Sequence, residues 1–231
     1  MTLSEAWEMH AQEWIAWVRK SEHDSYDRYH RDQFLPLVPR PGRRTLDLGC
    51  GEGRLARHLA TLGHRVVGID ASRTLIAAAR TSAPDMELHV ADAAALGFTD
   101  GAFDQVVSFM CLHDVDDLAG AVHEMARVLE PGGVACIAIV HPINSAGRFE
   151  KHGRFVIRGS YLEPFRYTDT VTRDELTMTF ESQHRPISAY FDALASEGLV
   201  VDALREPMTR SHDSWSRLPL FLHLRARKLA A

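Results

Sequence analysis

The chain is poor in cysteine, has no long apolar run and shows no excess of basic residues. Its 3 cysteines, Cys50, Cys111 and Cys136, form no CxxC pair, so we expect neither a disulfide framework nor a metal site. Every apolar run is far shorter than the roughly 18 residues of a membrane span. The formal net charge of −5 disfavours nucleic acid as a partner. These absences predict a soluble, cytoplasmic protein that contacts no membrane.

Apolar strand-like runs alternate with amphipathic helical segments between positions 41 and 140. Strands are predicted for RTLDLG, RVVGID, MELHVAD, FDQVVSFM and VACIAIV, and helices for segments between them, one of them N-capped by Ser72. Continuous apolar strands are typical of sheets that are covered on both faces. The pattern therefore predicts an α/β fold with a Rossmann-like, mainly parallel sheet and helices on both sides.

The length of 231 residues suits a single domain. Its predicted parts are an N-terminal helical cap (1–40), a core (41–140), an insertion (141–185) and a C-terminal helix with two strands (186–231). The insertion shows no clear period, so we expect an irregular loop that covers the carboxyl ends of the strands as a lid. Trp7, Trp14 and Val18 share one stripe of the first helix, which predicts ordinary packing.

The stretch LDLGCGEGR places three glycines where the first strand turns into a helix. Gly49, Gly51 and Gly53 allow the backbone to approach a ligand, and the helix that follows offers free N–H groups. The spacing is GxGxG rather than the dinucleotide spacing GxGxxG, because Arg54 occupies the last position. No P-loop lysine follows. The turn therefore argues against a nicotinamide-dependent reductase and against a triphosphate ligand.

Three acidic residues lie in or directly after the first three predicted strands. Asp70 is placed to accept hydrogen bonds from both hydroxyls of a ribose. Asp47 precedes the glycines and is predicted to face an ammonium group, and Asp92 is placed to accept from an exocyclic amine such as that of adenine. Together they predict a nucleoside that carries a charged amino-acid tail.

The motifs LDLGCGEG, VVGIDAS, VADAAAL, FDQVVSFMCLHDV and RVLEPGG resemble those of class I S-adenosylmethionine-dependent methyltransferases, most closely the small-molecule branch with the ubiquinone- and menaquinone-type enzymes. The resemblance implies S-adenosylmethionine as the cofactor, S-adenosylhomocysteine as the product, and a seven-stranded sheet with a reversed C-terminal hairpin. It also implies that the glycine turn holds the methionine part of the cofactor. The predicted cofactor-binding residues are Tyr26, Asp47, Gly49, Cys50, Gly51, Gly53, Asp70, Ala71, Asp92, Ala93 and Phe109.

In enzymes of this family, the segment before the first strand often closes over the methionine end of the cofactor. The candidates here are Tyr26, Tyr29 and His30, with Arg28 or Arg31 facing a carboxylate. An aromatic helix face that simply packs on the sheet is an equal alternative.

Methyl transfer requires an aligned nucleophile, and it requires a side-chain base only if the acceptor arrives protonated. The candidate bases are His113, after the fourth strand, and His141, after the fifth, because a neutral imidazole suits pH 7. His113 has packing or helix capping as an equal alternative, and structural roles are favoured for His141 and for His184. Asp114, Asp116 and Asp117 form an acidic cluster, but helix N-termini attract acids without a metal.

The predicted function is methyl transfer to O, N or C of a small-molecule acceptor. Basic and aromatic residues alternate between Arg148 and Arg166, which fits an anionic, partly apolar acceptor, a solvated loop or an RNA-facing patch. Two further alternatives stay open. One is an RNA-modifying methyltransferase, and the other is a cofactor-binding regulatory protein without transferase activity.

Overall fold

The computed structural model describes residues 1–157, 159–208 and 214–230. The strands within these ranges are β1 (Thr45–Leu48), β2 (Val66–Asp70), β3 (Glu87–Val90), β4 (Phe103–Phe109), β5 (Leu129–Val140), β6 (Gly147–Phe149), β7 (Phe155–Ile157), β8 (Phe165–Arg173), β9 (Leu176–His184), β10 (Leu199–Arg205) and β11 (Phe221–Lys228). The α-helices are α1 (Leu3–Met9), α2 (Ala11–Arg19), α3 (Arg31–Phe34), α4 (Arg54–Thr61), α5 (Arg73–Ser82), α6 (Leu118–Val128), α7 (Pro142–Ala146) and α8 (Ile187–Ser196). Tyr26–His30 forms a π-helical turn, and Leu35–Leu37, Lys151–Gly153 and Ser214–Arg217 form 3₁₀ turns.

Seven of these strands form one sheet in the order β10-β11-β5-β4-β1-β2-β3. The pairs from β3 to β5 are parallel, whereas β11 is antiparallel to both β5 and β10. The predicted α/β fold with a mainly parallel sheet and a reversed C-terminal hairpin is therefore confirmed. The predicted cap of α5 is also present, since Ser72 Oγ accepts from the Leu75 amide.

The strands bury side chains on both faces of the sheet. Leu46, Val106 and Ile137 pack in the core that contains α6 and α8. Val107 and Cys136, which point the other way, pack in the core that contains α4 and the turn after α3. Because successive side chains of a strand alternate between the faces, two covered faces explain the near-continuous apolar runs.

The insertion is not an irregular loop, as its composition predicted, but contains two antiparallel hairpins, β6–β7 and β8–β9. The β8–β9 hairpin pairs without interruption from Phe165 opposite His184 to Arg173 opposite Leu176. On its outer face Thr170 pairs with Thr179 and Thr172 with Thr177, while the inner positions include both apolar and polar residues. Asp169 and Ser182 are among those inner polar residues, and they obscure the two-residue period in the sequence.

The predicted N-terminal helix is broken at His10 into α1 and α2. A capping box of Thr2 and Glu5 starts α1, and both helices pack against β9 and α5. The N-terminal segment therefore reaches the same edge of the sheet as the β8–β9 hairpin. None of the helices in the described ranges is long and apolar enough to cross a membrane.

Candidate functional site

A cavity of about 950 Å³ opens at the carboxyl ends of β1, β2 and β4. The turn after β1 forms one wall, and an aromatic roof formed by Trp7, Trp14 and Phe180 covers it, with ring centroids 5.9 to 6.4 Å apart. Val18 also lines the cavity. Trp7, Trp14 and Val18 were predicted to take part in ordinary packing, but the hairpin opposite them turns their helix stripe into a cavity wall.

The three glycines of the turn all have left-handed backbones, with φ of +76° at Gly49, +57° at Gly51 and +84° at Gly53. A Cβ at Gly49 would lie 2.4 Å from Cys111 Sγ, so the loop after β4 packs directly on this turn. Gly49 and Gly51 line the cavity together with Cys50, whereas Gly53 faces Ala79 of α5. The glycines are therefore required by the path of the chain itself as well as by any ligand.

Arg54 follows the turn and links it to the N-terminal segment. Its guanidinium forms an ion pair with Asp24 and lies 4.6 Å from the ring centroid of Tyr26. Arg54 also lines the cavity, and its buried Nε has no hydrogen-bond partner among the described residues. The side chain that distinguishes this turn from a dinucleotide site thus places a cation in the cavity wall.

Asp70 ends β2 and holds the glycine turn in place. Its carboxylate accepts from the Gly51 amide at 2.8 Å and from the Ser72 amide at 2.9 Å. Burial raises the pKa of Asp70, and the two amides oppose that shift. Each oxygen keeps a further lone pair for a ligand hydroxyl.

Asp47 lies in β1 and is 1% exposed. Neither of its carboxylate oxygens has a hydrogen-bond partner in the described part of the chain. Burial, with a further contribution from the charge of Asp70, raises the pKa of Asp47 to about 7; the Ala56 amide is near enough to oppose this rise, although it makes no hydrogen bond of proper geometry. Because an unpaired buried carboxylate is costly, this site fits a ligand that brings a cationic donor into the cavity.

The other predicted adenosine contacts lie along the ends of β2 and β3. Ala71, Asp92 and Ala93 line the cavity, and Asp92 is exposed, with Oδ1 accepting from the Ala94 amide at 2.9 Å. Phe109, at the end of β4, lines it as well.

Tyr26 was predicted to bind the cofactor, but it lies outside the cavity lining. Its buried hydroxyl is 2.6 Å from His58 Nδ1, and its ring packs on Phe109. Tyr29 lines the cavity instead, while Arg28 lies over the Tyr29 ring and Arg31 pairs with Asp27. The packing alternative therefore describes Tyr26, and the entrance role stays a prediction for Tyr29. The tight packing of the π-helical turn decides between the two tyrosines.

The three candidate histidines differ in what they contact. His113 lines the cavity, and burial lowers its pKa to about 3, which makes it a weak base. His141 lies outside the lining and caps α7, with Nδ1 accepting from the Ile143 amide and Nε2 lying 3.0 Å from Glu206 Oε1. His184 has both ring nitrogens occupied, by Ser145 and by the Tyr161 carbonyl. The contacts of His141 and His184 thus argue against the role of a base.

Asp114 lines the cavity, although the sequence pattern indicated it only as a member of an acidic cluster. Burial raises its pKa to about 8. Asp116 and Asp117 line the cavity too, but Asp116 accepts from the Leu3 amide and pairs with Arg166, and Asp117 caps α6. The described residues contain no group of three or more potential ligands close enough to hold a metal. The position of Asp114 directly after His113 was the one signal for it in the sequence.

The basic residues of the insertion mostly lie away from the cavity. Arg148 and Arg173 line it, whereas Arg166 binds Asp116 and the Met1 carbonyl. Lys151 and Arg154 are exposed and do not line it, and Arg158 lies outside the described residues. Arg148 and Arg173 are thus the basic side chains of the described insertion residues that line the cavity, and an anionic acceptor stays a prediction.

Residues 46–137 match a family model described as a methyltransferase domain. The chain is 30% identical over 197 residues to a ubiquinone biosynthesis O-methyltransferase of Brucella anthropi, which covers 82% of this chain and 73% of that protein. It is 38% identical over 102 residues to a demethylmenaquinone methyltransferase of Beutenbergia cavernae, covering 44% and 42%. Its fold matches the crystal structure of an S-adenosylmethionine-dependent methyltransferase from Mesorhizobium loti with a TM-score of 0.69, at 26% identity and covering 85% and 96%.

The chain belongs to the class I S-adenosylmethionine-dependent methyltransferases, a family of enzymes whose cofactor is S-adenosylmethionine. The resemblance, the fold and the cofactor that the sequence motifs predicted are thereby confirmed. The chain spans between 39% and 55% of the length of four of its curated relatives.

Proposed function

We propose that this chain transfers the methyl group of S-adenosylmethionine to a small-molecule acceptor held in the cavity. The observation that carries the proposal is the unpartnered carboxylate of Asp47, buried beside the glycine turn and Asp70. A ligand with an ammonium group and a ribose complements these two acids together. Family membership supplies the identity of that ligand.

Four charged residues of the cavity would bind the polar groups of the cofactor. Asp47 would bind the ammonium group and Asp70 the ribose hydroxyls, while Asp92 would accept from the adenine amine beside Ala93. Arg54, the cation next to the glycine turn, would face the carboxylate of the cofactor's amino-acid part. Cys50, Ala71 and Phe109 add packing around these groups. When it is bound, the cofactor supplies an electrophilic methyl group on a sulfonium.

The contribution of the protein is alignment and exclusion of water. The aromatic roof and the β8–β9 hairpin line the cavity together with the glycine turn, and Trp14 Nε1 lies 3.6 Å from the position of a Cβ at Gly51. This cover restricts the acceptor to one approach and removes water from the reacting pair. An acceptor that fits between roof and turn must be small, which supports a small molecule over a folded RNA.

Isothermal titration with S-adenosylhomocysteine tests the cofactor site. We expect binding to the wild-type protein, no binding of NADH, and at least about 10-fold weaker binding to Asp47→Asn. Asp32→Asn is the matched control, because Asp32 is exposed and lies outside the cavity lining. A wild-type protein that does not bind S-adenosylhomocysteine would contradict the proposal.

Methyl-labelled cofactor tests the class of acceptor. The purified chain is incubated with this cofactor and, separately, with the low-mass, RNA and protein fractions of a cell extract. We expect label in the low-mass fraction alone. Label in RNA would favour the RNA-modifying alternative. A protein that binds the cofactor and labels no fraction would favour the regulatory one.

A further inference from the structure

Besides the atoms of Asp47 and Arg54 described above, three buried polar atoms in the cavity wall lack a hydrogen-bond partner among the described residues. They are Trp7 Nε1 of α1, and His113 Nδ1 and Asp114 Oδ1 of the loop after β4. All three residues line the same cavity, and Asp114 Oδ1 lies 3.6 Å from His113 Nε2. Trp7 lies close enough to Asp114 to lower the pKa of its carboxyl, although the two make no hydrogen bond of proper geometry. We call Trp7, His113 and Asp114 the polar triad.

The polar triad lies close to the glycine turn. Met110 has a left-handed backbone with φ of +54°, and it starts the loop that carries His113 and Asp114. One residue further on, Cys111 packs on Gly49. The backbone strain at Met110 is typical of a functional site, since it persists only where the surrounding structure holds it. The triad therefore joins the aromatic roof, to which Trp7 belongs, to the loop that packs on the turn proposed to hold the cofactor.

Hydrogen-bond chemistry selects the group that would complete the triad. The Trp7 indole only donates, whereas Asp114 only accepts once its carboxyl is ionised. A hydroxyl serves both, because it donates its proton and accepts on its oxygen. An ammonium would leave the indole N–H without an acceptor, and a carboxylate would be repelled by the ionised form of Asp114. The aromatic rings of the roof and of Tyr167 offer flat walls for a ring.

Resting on the proposed methyl transfer, we infer that the acceptor is a hydroxylated aromatic compound whose hydroxyl binds the polar triad, and that Asp114 removes its proton. The hydroxyl oxygen forms a bond to the methyl carbon as the carbon–sulfur bond breaks, with that electron pair going to sulfur. The proton of the hydroxyl passes to the Asp114 carboxylate and then to water. No other reactant is needed.

The environment of Asp114 supports this choice over His113. The groups that face it are His113 and Cys111 of its own loop, Trp7 of α1, Tyr167 and Ser182 of the hairpin, Arg185 after it, and Tyr190 of α8. Burial raises the pKa of Asp114 to about 8, and the polar contacts with Ser182, Arg185 and Trp7 oppose it. A phenol has a pKa of about 10. Asp114 is thus a much closer match than His113 for taking a phenolic proton.

Binding of three one-ring probes to the protein saturated with S-adenosylhomocysteine tests the acceptor class. The probes are catechol, benzoate and benzylamine, and their binding is measured by saturation-transfer NMR and titration calorimetry. We expect catechol to bind, benzoate not to bind, and Trp7→Phe to weaken catechol about 10-fold or more. Tighter binding of benzylamine or benzoate than of catechol would overturn the inference.

Asp114→Asn and His113→Asn, assayed with labelled cofactor and catechol, test the proton role. We expect Asp114→Asn to lower kcat about 100-fold or more, with catechol binding within about 3-fold, and His113→Asn to lower it less than about 10-fold. The wild-type rate should rise with pH up to about 8, and this rise should vanish in Asp114→Asn. In ¹³C-aspartate NMR, one carboxyl titrating near pH 8 should vanish as well.

The failures of the two proposals are distinguishable. Loss of S-adenosylhomocysteine binding by the wild-type protein would reject the cofactor site itself. Normal cofactor binding together with equal rates of Asp114→Asn and wild type would reject the proton role alone. A wild-type protein that binds the cofactor but does not methylate catechol would count against the acceptor class.

Discussion

The Gly51 amide donates a hydrogen bond of 2.8 Å to the carboxylate of Asp70. This contact ties the turn after β1 to the end of β2, so the acid proposed to bind the ribose also shapes the turn proposed to hold the methionine part. One carboxylate therefore couples the structure of the turn to the binding of its ligand.

Asp70→Asn and Asp70→Ala should both weaken S-adenosylhomocysteine binding, because each removes the charged acceptor. We expect losses of at least about 10-fold for Asn and more for Ala, since Ala also leaves the Gly51 amide without its acceptor. Titration calorimetry measures the affinities, and Asp32→Asn is the charge-matched control. Unchanged binding in Asp70→Ala would exclude the ribose role.

Asp47→Asn should stabilise the cofactor-free protein at high pH. The folded-state pKa of about 7 lies above an unfolded value of about 3.9, so the folded state binds more protons between those values and its stability falls as pH rises through that window. We expect the variant to gain roughly 1–3 kcal/mol of unfolding free energy at pH 8 and almost nothing at pH 4.

Urea unfolding of the cofactor-free protein at the two pH values measures this gain. The same variant should bind S-adenosylhomocysteine more weakly, which would separate stability from function at this position. A variant less stable than wild type at pH 8 would mean that the Asp47 carboxylate is compensated within the protein.

Gly49→Ala should destabilise the protein by roughly 2–4 kcal/mol, because its new Cβ meets Cys111 and its φ is +76°. Cys111→Gly in the same chain removes the colliding atoms and should restore part of the loss, leaving the backbone strain. Gly97→Ala is the control, since a Cβ there meets nothing within 4 Å. Thermal unfolding compares the variants, and a double variant no better than Gly49→Ala would rule out the proposed collision.

The buried contact between His30 and His223 should make the protein sensitive to acid. His30 Nδ1 lies 2.8 Å from His223 Nε2, and burial lowers the pKa of both imidazoles, that of His223 to about 4. The unfolded state then binds more protons between about pH 6.5 and 4, so the unfolding free energy falls as pH falls through that range.

Urea unfolding between pH 4 and 7.5 checks this prediction. His223→Asn should flatten the acid limb relative to wild type, while the exposed His89→Asn should leave it unchanged. An equal slope in wild type and His223→Asn would show that this pair does not control the acid limb.

The sequence alone determined the sheet of the core and the residues around its glycine turn. Strands such as Val66–Asp70 are recognisable because their apolar runs and turn residues are local signals, and Gly49 and Asp70 follow directly from them. The irregular loop predicted for the insertion was wrong. Its inward positions include Asp169 and Ser182, and polar residues that face a cavity look the same in a sequence as polar residues that face water.

Only the tertiary structure decided which side chains share the cavity. It brought Trp7 of the first helix next to Asp114, placed Tyr29 instead of Tyr26 in the cavity wall, and left His141 as a helix cap. These placements depend on contacts between segments up to about a hundred residues apart. Burial in the folded protein then raises the pKa of Asp114 and lowers that of His113. Local patterns determine which ligand the glycine turn suits, because that site is built from consecutive segments. The acceptor side of the cavity is built from distant ones, so packing alone determines it.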